Sequence, residues 1–371
     1  MIKNLRVKIR NSLKTMLGTD HLSGNAFRRL DVLSTMVAGV LHQGSSRLSD
    51  LARLNCEAKQ QASKEKQLSR WIQSDHTSYS VHYLPYITAL LKSLSACGEL
   101  AFSIDGSTGG RGCMILMFSV IYKNRAIPVV WHVVKAKKGH LPESAHRALL
   151  AKLAEIVPSD CQVSVVGDGE YDGCDWQKDI RELGWDYVLR TGMGRLIETE
   201  PGEQVKIGTM APGPGKSSFM LYQVAFTKKQ YGPVNLLIQH ERGYKDPIYL
   251  LTNLDFPPVI SQLYKKRFKI ETFFSDQKSR GFNIHRSKIG KPERLAKLLI
   301  ATCIAYIFCI LAGIKAYQSK FYPQIHRTDR SDLSLFSLGK RFIEFLVDIR
   351  QWRAFQLKLT HEILNCQTHK C

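Results

Sequence analysis

ELAFSIDGSTGGRGCMILMFSVIYKNRAIPVVWHVVKA, residues 99–136, reads as three strands in a row. β-Branched and aromatic residues dominate ELAFSIDGS, MILMFSVIYKN and RAIPVVWHVVKA, and the short turn at Lys123 and Asn124 makes the last two a hairpin. Outward from there the pattern predicts a helix through Ala145 to Ile156, a strand QVSVVGD (162–168), a helix near Asp175 to Leu183 and a short strand DYVLR (186–190). Three strands followed by alternating helix and strand is the order of a mixed α/β sheet with antiparallel early strands.

On the N-terminal side the character is helical. Apolar residues recur at three and four spacings in FRRLDVLSTMVAGVL and SRLSDLARL, between about Asn25 and Ser74. A helix beginning near Ser63, SKEKQLSRWI, carries Lys64, Lys66 and Arg70 beside apolar positions. Residues 1–96 thus read as a helical DNA-binding region, by analogy with helix-turn-helix docking; the alternative is the solvated face of a packing helix. Residues 97–190 hold the first part of the α/β core. From Thr191 to Tyr249 Gly and Pro punctuate β-like pieces, which reads as an inserted β subdomain over 191–250.

The core resumes over 251–318 with a helix after Pro257 and Pro258 and the apolar run LLIATCIAYIFCILAGI (298–314), expected as a buried helix. Lys288, Lys291, Arg294 and Lys297 precede that run and Lys315 follows it, so a membrane span is the alternative. A helical region is expected over 319–371, including a charged, peripheral helix around Ser337 to Ile349.

With 371 residues, 44% of them hydrophobic, the chain has the composition of a folded protein rather than a disordered one. Its 53 Lys and Arg against 32 Asp and Glu leave +21, a surplus that repels itself unless it faces a polyanion, and nucleic acid is the first partner this implies. An anionic membrane surface is the other. Nine cysteines without a C-x-x-C pair, several of them (Cys113, Cys303, Cys309) inside apolar runs, point to a reducing, cytoplasmic compartment. The basic N-terminus lacks a continuous apolar stretch and does not read as a signal peptide. His361, Cys366, His369 and Cys371 match no standard zinc spacing and read as a frayed terminus.

Three carboxylates carry the chemistry. Asp105 and Asp168 are expected at the ends of the first and fourth strands, where open α/β sheets hold ligands. If those strands are neighbours the two acids lie side by side, and their repulsion requires a cation. In YKKRFKIETFFSDQK (264–278), Tyr264, Arg267, Glu271 and Lys278 follow at spacings of three, four and seven. On one continuous helix all four project within an arc of about 60°. Glu271 is then a third ligand, although Arg267 and Glu271 alone would be an ordinary surface pair. Hard oxygen donors suit Mg²⁺ or Mn²⁺, and two such ions about 3.5–4 Å apart serve phosphodiester chemistry.

These residues, in the arrangement Y-(2)-R-(3)-E-(6)-K preceded by two strand-end aspartates, resemble the DDE transposases of the insertion-sequence 4 type, relatives of the Tn5 transposase. The likeness spans about Glu99 to Ile314 and is weaker over SRLSDLARLNCEAKQQASKEKQLSRWIQ (46–73). It implies an RNase H-like sheet interrupted by a β insertion ahead of the glutamate helix. It also implies that Asp105, Asp168 and Glu271 bind catalytic Mg²⁺ or Mn²⁺, as two ions, while Tyr264, Arg267 and Lys278 contact the DNA end. Relatives flip a base onto an aromatic of the insertion; no tryptophan lies between Trp185 and Trp352, which leaves Tyr222, Tyr231 and Tyr244. The resemblance further implies cut-and-paste transposition by a homodimer or larger synapse on double-stranded DNA in the nucleoid. The rivals are a metal-dependent nuclease that never joins strands and a catalytically silent DNA-binding regulator.

Overall fold

The computed structural model describes residues 2–16, 22, 24–53, 58–136, 141–215, 218–330 and 332–349. Helices come first: α1 (Ile2–Met16), α2 (Gly24–Gln43), α3 (Leu48–Ala52), α4 (Ala58–Gln73), α5 (Tyr79–His82) and α6 (Leu84–Ser95). In α1, otherwise basic, Leu5, Ile9 and Leu13 recur every four residues and are all buried, with α2 as the neighbouring helix.

Strands β1 (Glu99–Gly109), β2 (Cys113–Tyr122) and β3 (Arg125–Lys135) form an antiparallel meander. Then α7 (Glu143–Ala154), β4 (Gln162–Gly167), α8 (Cys174–Glu182) and β5 (Asp186–Thr191) alternate. Both β1–β4 and β4–β5 pair in parallel. The resulting core order is 3-2-1-4-5 with β2 antiparallel to its neighbours, which is an RNase H-like mixed sheet.

The segment from Thr191 to Tyr249 stays in that sheet. Strands β6 (Leu196–Glu200), β7 (Glu203–Lys206), β8 (Phe219–Phe226) and β9 (Tyr231–Gln239) join it through β10 (Ile248–Thr252), which pairs with both β9 and β5. Among the described residues ten strands therefore run as one sheet, and the added part has its own apolar cluster around Ile197, Phe226, Val234 and Leu236.

The chain closes with α9 (Pro257–Lys266), α10 (Phe268–Gln277), α11 (Pro292–Tyr317), α12 (Tyr322–Ile325) and α13 (Leu335–Asp348). Side chains alternate across the sheet, so each face has its own helices. On one face Phe118 stacks on Trp176 of α8, with ring centroids 5.9 Å apart. On the other, Val166 and Val188 pack with Ile260 and Tyr264 of α9, and Trp131 Nε1 donates to Ala296 O of α11 at 3.2 Å.

Helix α11 is long and apolar enough to cross a membrane, and its entire run from Leu298 to Ile314 is buried within the protein, with α2, α4, α13 and β3 around it. A helix apolar on all sides has this as its stable position in a folded chain. Helix α13 departs from the peripheral expectation. Its charges, Lys340, Arg341, Glu344 and Asp348, share a face, while Leu335, Phe336, Leu338, Phe342, Ile343, Leu346 and Val347 are buried. Gly339 abuts the carbonyl of Cys309, and Gly313 abuts that of Leu335, so closely that neither position has room for a Cβ. Backbone meets backbone where α11 and α13 cross.

Candidate active site

The sheet register places the acids. In the parallel β1–β4 pair the last matched residues are Ser103 and Val166; the same offset carried two residues further sets Asp105 beside Asp168. The β4–β5 offset, carried one step beyond Gly167 and Leu189, sets Arg190 on the other flank of Asp168. Neighbouring strands are about 4.8 Å apart, so the three positions form one row.

Asp105 is not at the end of its strand. β1 continues to Gly109, with Asp105 opposite Met117 of β2. What ends before Asp105 is the pairing with β4, because β4 stops at Gly167 while the β1–β2 hairpin goes on. Asp168 follows β4 directly and caps the turn Gly169–Tyr171, its Oδ1 accepting from Glu170 N at 3.0 Å. Asp105 Oδ1 accepts from Gly106 N at 2.7 Å.

Burial, followed by repulsion from Asp168, pushes the Asp105 carboxyl up to about 7; Gly106 N–H and Arg267 pull the other way, and Glu271 adds to the rise. Ionising Asp105 in this position is costly, and additional positive charge there would offset that cost.

The helix expected to carry Tyr264 through Lys278 is two helices. It kinks at Arg267, where Arg267 N bonds to Tyr264 O at 2.9 Å and Ile270 N to Arg267 O at 3.2 Å, both one residue tighter than an α-helical turn. Lys278 lies just beyond α10 as its C-terminal cap. The four side chains still gather on the acids. Arg267 Nη2 donates to Glu271 Oε1 at 2.6 Å, while its Nη1 lies 3.9 Å from Asp105 Oδ2. Its guanidinium also covers the ring of Phe268, 4.4 Å from the centroid.

Tyr264 and Arg267 are only 3% and 6% exposed, so both sit beneath the surface the acids form. Burial pushes the Tyr264 phenol up, against the pull of Arg267 and Arg190. Lys278 Nζ donates to Ser107 Oγ at 2.7 Å and to Thr108 Oγ1 at 3.3 Å, tying the end of α10 to the strand of Asp105.

Among the described residues no three His, Cys, Asp or Glu side chains converge as a ready metal-ligand cluster. Asp105 and Asp168 lie side by side, and Glu271, half exposed, is turned onto Arg267. The donor chemistry of the two aspartates fits a hard divalent cation, whose charge would offset the burial and the repulsion that push the Asp105 carboxyl up.

On α4, Lys66 and Arg70 are exposed one turn apart, whereas Lys64 is half-buried toward the side of Leu68 and Ile72. Of the insertion tyrosines, Tyr222 and Tyr244 are exposed and Tyr231 is half-buried. His361, Cys366, His369 and Cys371 lie outside the described residues. Arg190, Ser107 and Thr108 join the site without a motif to mark them. Each follows from strand register, the first as lateral neighbour of Asp168 and the others as continuations of β1 past Asp105.

The fold is similar to that of the piggyBac transposase in a synaptic complex with hairpin DNA, at 12% identity and a TM-score of 0.45 over 97% of this chain and 82% of that one. No curated protein matches the chain. The profile of the transposase DDE domain matches residues 92–308, the stretch from α6 into α11 that contains Asp105, Asp168, Arg267 and Glu271, and its members are in general divalent-metal-dependent enzymes of DNA cleavage and joining. The chain belongs to the transposase DDE domain family.

Proposed function

We propose that this transposase is of the insertion-sequence 4 type and works by cut-and-paste: it cleaves DNA at both ends of a mobile element and joins the freed 3′-hydroxyls to target DNA. The observation that carries the reading is the lateral pair Asp105 and Asp168, with Asp105 pushed up to about 7 next to the Arg267–Glu271 pair. Magnesium or manganese, as two ions, would be held by Asp105, Asp168 and Glu271. When bound, the metal would supply Lewis acidity at the scissile phosphate and an activated oxygen nucleophile.

The chain's own residues do the rest. Asp105 and Asp168 are fixed by the sheet and by bonds from backbone N–H groups, which keeps their oxygens oriented. Glu271 joins them by leaving Arg267, and the guanidinium released from it then has two N–H groups for a phosphate oxygen. Tyr264, beneath Arg267, acts as a positioning residue for that guanidinium. Lys278 presents a point charge above Ser107, next to the path of the strand being cut. Every cleavage and joining step is an in-line displacement at phosphorus, so one site serves them all.

Exposed Lys66 and Arg70 on α4, with half-buried Lys64 beside them, support DNA binding by the region 1–96. The proposed assembly is a homodimer on paired ends, in the cytoplasm on nucleoid DNA. Among the described residues Cys113, Cys161, Cys174, Cys303 and Cys309 are free thiols, in keeping with that compartment.

The test is incubation of the purified protein with its flanking genomic DNA and Mn²⁺, mapping the cuts, and then supplying pre-cut ends with target plasmid. Cuts at both ends and joined products are expected. Cuts without joining would make the protein a nuclease, and binding without any metal-dependent product a silent regulator. Full cleavage and joining by Asp105→Ala would overturn the three-acid assignment.

A further inference from the structure

The segment KSRGFNIHRSKIGK, residues 278–291, links α10 to α11 and contains five Lys and Arg, one His and no acid. Its side chains divide by depth. Phe282, Ile284, Ser287 and Ile289 are buried, while Arg280, Arg286, Lys288 and Lys291 are exposed. Among the described residues none of these four has a carboxylate partner within ion-pair distance.

Such a loop is usually mobile, but this one is pinned from three directions. The N-terminal helices hold it through Ser46 Oγ, donating to Phe282 O at 2.6 Å, and through Gly44 O, accepting from Asn283 Nδ2 at 3.0 Å. The β1–β2 turn holds it through Arg111 N, donating to Ile289 O at 2.7 Å. From β3, Lys135 Nζ donates to Gly290 O at 3.2 Å and to Arg111 O at 2.9 Å. Lys288 is held at φ +63°, a left-handed conformation that costs a lysine about 1 kcal/mol or more and persists only where the surroundings impose it.

The position is as specific as the charge. β1 carries the register from Asp105 to Gly109, about 13 Å at strand rise, and ends against this loop. That length matches about four base-pair rises of duplex DNA. A pinned loop with four exposed cations, beginning about 13 Å along β1 from the acids, fits one chemical partner, the sugar-phosphate backbone of a duplex.

We infer that residues 280–291 form a fixed phosphate-binding ledge for the duplex flanking the cut, contributing sequence-independent affinity through Arg280, Arg286, Lys288 and Lys291. The inference rests on the proposed DNA chemistry, and its test separates the two. Fluorescence anisotropy of a 30-base-pair duplex of random sequence, titrated with the full chain in Ca²⁺, is repeated from 50 to 300 mM salt. Replacing the four cations by alanine lowers the log–log salt slope by between one and about 3.6, at about 0.9 for each phosphate no longer neutralised. Replacing Lys152 and Lys178, exposed on α7 and α8 behind the sheet, leaves the slope unchanged. Lysine at all four positions restores it.

A wild-type slope in the alanine variant, with wild-type thermal unfolding, overturns the ledge while leaving the proposed function standing. Retained DNA binding combined with abolished binding to phosphatidylserine vesicles assigns the loop to a membrane surface and also overturns it. Absence of duplex binding by the wild-type chain defeats the DNA reading itself.

Discussion

Arg267 and Glu271 are joined by a 2.6 Å hydrogen bond across the kink between α9 and α10, and the same guanidinium lies 3.9 Å from Asp105. One cation thus faces two of the three acids. On a solvated helix that pair would contribute a few tenths of a kcal/mol. Here Arg267 is buried and Glu271 is half exposed, so the pair can exchange partners on the Glu271 side while the arginine stays in place.

Arg267→Lys keeps the charge but removes the planar fork that can serve Glu271 and a phosphate together. Metal-dependent cleavage should fall by about 100-fold or more, the size expected when a charge-stabilising donor is taken away, with little change in thermal midpoint. Cleavage within a few-fold of wild type would show that any positive charge suffices there.

Asp105 gives a pH signature. Its folded-state value, pushed up to about 7 from 3.8, means that the metal-free folded chain binds this proton more tightly than the unfolded chain does. The associated stability is fully present below about pH 4 and is lost as pH rises through 7. Asp105→Asn removes the titration, so in EDTA the variant should gain on wild type between pH 5 and pH 8, by up to about 2.5 kcal/mol. Differential thermal unfolding at the two pH values measures it. Mg²⁺ should raise the wild-type midpoint at pH 8 and leave the variant nearly unmoved. Equal differences at both pH values would mean an ordinary carboxyl.

Gly339→Ala tests the crossing of α11 and α13. A methyl group there meets the Cys309 carbonyl, which belongs to a buried helix and has nowhere to shift. A destabilisation of roughly 3 kcal/mol or more is expected by urea unfolding, although alanine is the better helix former by about 1 kcal/mol. Ser337→Ala, on the same helix, introduces no such clash and serves as the comparison.

Arg125 and Asp276 form a buried pair at 3.0 Å that ties the start of β3 to the helix of Glu271. Burial pushes Asp276 up to about 6 in spite of Arg125. Arg125→Met leaves that carboxyl alone in the core and should cost about 3–5 kcal/mol, whereas Arg125→Met with Asp276→Leu should recover most of it. A double-mutant cycle from urea unfolding gives the coupling, and additive single effects would refute it.

The strand meander, the alternation after it and the buried helix at 298–314 are legible in the sequence because each is written in local periodicity: two for strands, apolar on all sides for the enclosed helix. The acids are legible as strand-associated residues, and the Tyr264 to Lys278 spacing as a gathered set. Helix α13 is not, because its charged face is as regular as its buried one, and only the partner helix reveals which face matters.

By itself, then, the sequence determined the order of elements, the basic surplus and which side chains could do chemistry. The tertiary structure decided their relations. Parallel pairing set Asp105, Asp168 and Arg190 in one row, the kink at Arg267 sank that arginine and Tyr264 beneath them, and three distant segments stiffened residues 278–291. The physical reason is range: periodicity is decided by neighbours three or four residues away, while register and burial depend on contacts across 60 to more than 200 residues, which no local pattern encodes.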